Sequence, residues 1–146
     1  MKYLLIIWIA ILPILSFSQS IKLADMNTLI TKSNSDCETY LFRKGFVFSR
    51  ERGNSVKVYD KSDETVYIGW TWTAKDGRQI KEVTYMTNNK TYFVLMIGEI
   101  KENFTYKDSD KKGNSTTIYL ENDKYKVQIE MNQGDGEYSL VNLIEK

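Results

Sequence analysis

The sequence predicts an α+β domain made of two repeats, each a helix followed by four strands, forming one curved antiparallel sheet with both helices on one face. Three observations predict it. Apolar residues recur at helical spacing in two separate segments, near 23–44 and 89–100. Each segment is followed by period-two alternation, interrupted by turns rich in Gly, Asn and Asp. The turns fall at matching places in two halves, 23–87 and 88–146, which is the mark of an internal repeat.

The first helix is read over 23–44, with Leu23, Met26, Leu29, Ile30, Cys37, Tyr40 and Leu41 on its stripe. Lys32-Ser33-Asn34-Ser35 is a poor helix interior, so a break is expected there, with a restart capped by Ser35 or Asp36. Arg43-Lys44-Gly45 ends the helix with basic residues and a glycine able to take positive φ. Phe46 and Phe48 open the first strand, and Arg52-Gly53-Asn54 turns the chain. Val56 and Val58 then alternate with Lys57 and Tyr59 before a turn at 60–63. Val66, Ile68, Trp70 and Trp72 share one parity of the third strand, with Tyr67, Gly69 and Thr71 on the other. Asp76-Gly77 is a hairpin signal, and 80–87 is the returning strand.

The order then recurs. Asn88 or Asn89 caps a helix whose stripe is Phe93, Met96, Ile97 and Ile100. Phe104 and Tyr106 open a strand as Phe46 and Phe48 did, and 111–114 turns toward Ile118 and Leu120. Asn122-Asp123 turns again, Tyr125, Val127, Ile129 and Met131 alternate with Lys126, Gln128 and Glu130, and Gly134-Asp135-Gly136 leads into a last strand at 138–144. Laid over each other, Lys44-Gly45-Phe46 meets Glu102-Asn103-Phe104, and Val58-Tyr59 meets Ile118-Tyr119. This element order resembles the two-repeat fold of the beta-lactamase inhibitory proteins and, more distantly, the TATA-binding-protein fold. The resemblance covers the chain from residue 19 onward and rests on element order. It implies that the helix-free concave sheet face meets a macromolecule, and it transfers no functional residue.

Residues 1–18 read as a signal peptide. Lys2 is a positive n-region, 4–15 is an apolar run broken only by Pro13, and Ser16-Phe17-Ser18 puts small residues where a signal peptidase reads. The run is shorter than the roughly 20 residues a span needs, and cleavage before Gln19 leaves no membrane span. The Ser-Phe-Ser-Gln ending resembles signal peptides of Bacteroidota. The protein is therefore expected to be periplasmic or secreted, as one domain over 19–146.

The 146 residues carry 20 basic and 19 acidic side chains, no histidine, one cysteine and one proline. Without histidine and with a single cysteine, His-based triads, His/Cys zinc sites and an intramolecular disulfide are excluded. A net charge of +1 disfavours nucleic acid as a partner. Cys37 falls on the helical stripe and reads as a small core hydrophobe. Asp108, Asp110 and Gly113 mimic the start of an EF-hand loop, but Lys112 and Tyr119 stand where oxygen ligands are needed. No cofactor or metal is called for. Asp63, Glu64, Glu82 and Glu130 are the carboxylates that could pair across strands for acid–base work, but charges on the outer side of an antiparallel strand ordinarily serve solubility and edge protection. Asn89, Asn103 and Asn114 begin Asn-x-Thr triplets that read here as caps and turns.

What remains is binding. Tyr59, Tyr67 and Thr71, with Lys126, Gln128 and Glu130, are assigned to the open sheet face, where tyrosine interleaved with mixed charge suits a protein contact. The reading is a non-catalytic, inhibitor- or immunity-like module whose partner is another protein of the envelope or outside the cell. The alternative is a small-ligand or glycan binder using Trp70 and Trp72, whose shared face with Val66 and Ile68 otherwise assigns them to the core.

Overall fold

A computed structural model describes residues 20–53, 55–72, 77–132 and 138–146, the side chains of 71 and 72 excepted. The signal segment and the Gly134-Asp135-Gly136 turn lie outside the described residues.

The first helical stripe forms two helices, α1 (Leu23–Thr31) and α2 (Asn34–Arg43). The break falls where the polar run predicts it, but the cap is Ser33, whose hydroxyl accepts the Asp36 amide at 3.2 Å. Strands β1 (Val47–Arg52), β2 (Val56–Lys61), β3 (Glu64–Trp72) and β4 (Gln79–Thr87) follow. Helix α3 (Lys90–Asn103) is capped by Asn89, which accepts the Thr91 and Tyr92 amides. Strands β5 (Thr105–Lys112), β6 (Ser115–Glu121), β7 (Tyr125–Asn132) and β8 (Ser139–Glu145) complete the chain. The tight β5–β6 turn needs Gly113 at φ 60°, a conformation an L side chain would strain.

All eight strands form one sheet in the order β1-β2-β3-β4-β8-β7-β6-β5, every neighbouring pair antiparallel. The two meanders therefore join through β4 and β8, leaving β1 and β5 as edges.

Register sorts the side chains into two kinds of row. Tyr59, Val66, Tyr85, Val141 and Ile129 oppose one another across β2, β3, β4, β8 and β7, and all are at most 2% exposed. They join Met26, Leu29, Cys37, Leu41, Met96 and Ile100 from the helices in one core. One position along the same strands runs Val58, Tyr67, Thr84, Asn142 and Gln128. Of these only Val58 is fully buried. We call these the Val66 face and the Tyr67 face.

Buried polar groups tie α1 to the Val66 face and to α2. Lys81, 1% exposed, donates its ammonium to the carbonyls of Leu29 and Lys32 at the end of α1. Its Nζ also lies 3.4 Å from Cys37 Sγ, and burial pushes that thiol's pKa up, against the pull of Lys81. Glu64, 3% exposed, accepts the Tyr85 hydroxyl at 2.9 Å and the Ile21 amide at 3.3 Å. Asp25 takes the Tyr40 hydroxyl, the Lys22 amide at 2.8 Å and the Lys44 ammonium at 2.9 Å. Each buried charge thus has partners, the condition under which burial is tolerated.

Candidate functional site

The Tyr67 face carries a hollow of about 420 Å³. Gly69, in the middle of β3 and opposite Glu82 of β4, lines its floor. A strand glycine removes a side chain from an otherwise continuous surface, and the neighbouring Val56 already closes to within 3.0 Å of where a Cβ would stand. The walls are Val56, Met86 and Leu140, which are apolar, with Tyr67, Thr84, Glu82 and Arg52 contributing polar groups. The Arg52 guanidinium lies 5.4 Å over the Tyr67 ring, a cation–π arrangement that holds both side chains at the rim. Among the described residues no carboxylate is paired with Arg52. Val58, beside Tyr67 in the ladder and opposite Arg50, is sealed at 0% exposure, so this end of the face has a packed floor.

The predicted contact residues divide. Tyr67 is half-buried at the hollow, and Lys126, Gln128 and Glu130 stand on the same face of β7, Lys126 exposed and the other two half-buried. Register puts Tyr67 and Gln128 in one cross-strand row, separated by Thr84 and Asn142, whose side chains bond at 3.0 Å. Three strand spacings place them about 14 Å apart. Glu130 accepts the Ser115 hydroxyl at 3.1 Å. Thr71 pairs with Ile80 at the far end of β3, and its side chain lies outside the described residues.

Tyr59 is a correction. It sits on the opposite face from Tyr67, 1% exposed in the core, with Phe48 edge-on at 5.8 Å. Its pairing with Val66 sets that parity, and Val58 occupies the position assigned to it. Burial, with the charge of Glu38 adding to it, pushes the Tyr59 phenol up to about 12.

Trp70 is half-buried beside Lys81, whose ammonium lies 5.4 Å from its ring. It borders a second hollow of about 160 Å³ with Asn34 and Gln79. The Trp72 side chain lies outside the described residues.

The candidate carboxylates do not converge. Glu64 is in the core and Glu82 on the other face of the sheet. Glu82 and Glu130 share the Tyr67 face but are offset by two strands and four residues, on the order of 16 Å between backbones. That exceeds the separations at which two carboxylates flank one scissile bond. Asp108 and Asp110 belong to strand β5 rather than a loop, and Asp110 faces Lys112 at 3.5 Å. Among the described residues no three acidic, histidine or cysteine side chains cluster to hold a metal ion, and no helix is long and apolar enough to cross a membrane.

Sequence reasoning passed over Gly69, Arg52 and Lys81. A glycine in mid-strand signals close approach of another group, and a lysine at a core parity of β4 signals a buried anchor, but neither says what stands across the ladder. Comparisons with protein-family models, with curated proteins and with solved structures find no match.

Proposed function

We propose that this is an exported, non-catalytic binding module, of the inhibitor or immunity-protein kind, that presents the Tyr67 face to another protein of the envelope or extracellular space. In this reading the chain is two helix-plus-four-strand repeats, the helices cover the Val66 face, and residues 1–18 are removed on export. The observation that carries it is the hollow at Gly69. It offers apolar walls to an anchoring side chain, with Arg52 and Tyr67 at its rim and Lys126, Gln128 and Glu130 farther along the same face. Interfaces combine such a desolvated centre with a polar surround.

Affinity capture tests it, using the chain from Gln19 on envelope extracts and culture supernatant of the parent organism. A variant with Tyr67→Ala, Lys126→Ala and Glu130→Ala serves as the control. A protein retained by the parent chain and lost with the folded variant supports the reading. Equal capture by both refutes it.

The second reading, a small-ligand or glycan site, draws on Trp70 and the hollow it shares with Asn34 and Gln79. Quenching of tryptophan emission by cell-wall sugars, abolished in Trp70→Phe, supports it. An unresponsive emission counts against it.

A further inference from the structure

The two edges of the sheet are built differently. Edge β5 runs Thr-Tyr-Lys-Asp-Ser-Asp-Lys-Lys, every residue exposed and five of the eight charged. That is how a free edge is kept from pairing with other chains. Edge β1 is exposed throughout too, and three of its six residues are charged. It begins, however, with two apolar residues, Val47 and Phe48, 63% and 46% exposed, with Phe42 at the end of α2 71% exposed, whereas β5 presents Tyr106 alone. Both β1 and β5 carry a register shift, so the bulge does not distinguish them. The difference lies in the side chains.

The register of β1 narrows what can pair with it. Val47, Arg50 and Arg52 oppose Asp60, Val58 and Val56 on the Tyr67 face, where the Arg50 guanidinium also lies 3.8 Å from the Asp60 carboxylate, whereas Phe48 and Glu51 oppose Tyr59 and Lys57 on the Val66 face. Residues opposite each other in an antiparallel ladder share a face. A symmetric pairing of two β1 strands centred on Glu51 therefore sets Arg50 against Arg52 and Glu51 against Glu51, and like charges directly opposite are destabilising. A second copy of the chain is a poor occupant. A strand with carboxylates opposite Arg50 and Arg52 and an apolar residue opposite Phe48 complements these three positions, with the exposed Glu51 left facing water.

We propose that β1 takes up an extended segment of a partner protein as a ninth strand. Alternate acidic side chains of that segment meet Arg50 and Arg52, and an apolar one covers Phe48. The proposal rests on the binding-module reading and sharpens it by naming the partner's chemistry. Arg52 belongs to both surfaces, since it also forms the rim of the Gly69 hollow, so the added strand continues the Tyr67 face without a gap. Backbone pairing supplies the affinity in this mode, and the alternating pockets supply the selectivity.

The test uses two capped octapeptides, one alternating Glu and Val, the other alternating Lys and Val, titrated into the chain from Gln19 at low salt. The acidic peptide is expected to bind one to one, to slow hydrogen exchange at β1 amides, and to weaken as salt rises. Arg50→Glu with Arg52→Glu is expected to weaken it at least tenfold. Both side chains are exposed, and an unchanged melting curve will show that the variant is folded. Equal binding of the two peptides, protection at β5 instead of β1, or no binding at millimolar peptide overturns the proposal. A dimer in sedimentation that is abolished by Phe48→Lys also overturns it, because a second copy then covers the edge. Failure here is separable from failure of the wider reading: a partner captured by the parent chain and lost with the substitutions at Tyr67, Lys126 and Glu130, while the peptide does not bind the parent chain, removes only the ninth strand.

Discussion

Two rows of side chains cross the same five strands one residue apart, and they have opposite characters. The row through Tyr59, Val66, Tyr85, Val141 and Ile129 is almost wholly excluded from solvent and packs with the helices. The row through Tyr67, Thr84, Asn142 and Gln128 is half-buried and polar, closing completely only at Val58. The difference shows where stability and recognition separate in this molecule. The first row removes apolar area from water, and the second keeps hydrogen-bonding groups within reach of a partner.

The sharpest way to break that comparison is to mutate neighbours in one strand. Leu143→Ala removes a fully buried side chain from the core and is expected to cost about 2–5 kcal/mol in urea unfolding. Asn142→Ala, one residue earlier, loses a bond from Thr84 and is expected to cost about 1 kcal/mol. Equal costs would show that both faces are core.

Lys81→Met comes next. It leaves the Leu29 and Lys32 carbonyls without their ammonium donor, and the expected loss is about 1–3 kcal/mol in the same assay. Unchanged stability would mean that the end of α1 does not depend on this contact.

The tyrosines sharpen the comparison through pH. Tyr40, held by burial and its bond to the Asp25 carboxylate, and Tyr59, held chiefly by burial, both rise from 10 to about 12. Between those values the folded state binds protons that the unfolded chain has lost. The stability these two phenols contribute is therefore complete below pH 10 and declines as pH climbs toward 12. Tyr59→Phe is expected to flatten that decline, measured as the melting temperature from pH 9 to 12. At neutral pH it is expected to be neutral or slightly stabilising, because the buried Tyr59 hydroxyl has no hydrogen-bond partner among the described residues.

The smallest effect belongs to Gly69→Ala. The added Cβ meets Val56 Cγ2 at 3.0 Å, so this side chain must give way by a few tenths of an ångström. A stability change within about 1 kcal/mol is expected, together with weakened capture of the partner as the hollow fills.

Much of the fold is legible in the residues. The helices and most strands follow from periodicity and turn chemistry, including the break before α2, where the Ser33 hydroxyl caps by meeting the Asp36 amide. Strand β5 beyond Tyr106 does not, because 107–112 is polar throughout and reads as a turn. Joining the meanders through β4 and β8 is consistent with the expected single sheet. The site is less legible. In β2 the alternation points the other way: Val56 and Val58 share one parity while Tyr59 shares the other with Lys57 and Lys61, yet Tyr59 is the residue that enters the core. What decides it is the pairing with Val66, a non-local contact that strand propensity does not encode. The hollow is likewise a property of five strands at once. Gly69 lines it, and Arg52, Val56 and Met86 reach it only through the ladder.

The central claim is that the Tyr67 face can be altered without disturbing the core. Equilibrium urea unfolding of the Tyr67→Ala, Lys126→Ala, Glu130→Ala variant tests it most directly. The account predicts a stability within about 2 kcal/mol of the parent and an unchanged dependence on urea. A loss of about 4 kcal/mol or more, or a protein already unfolded without urea, would show that this face is part of the core and contradict the claim.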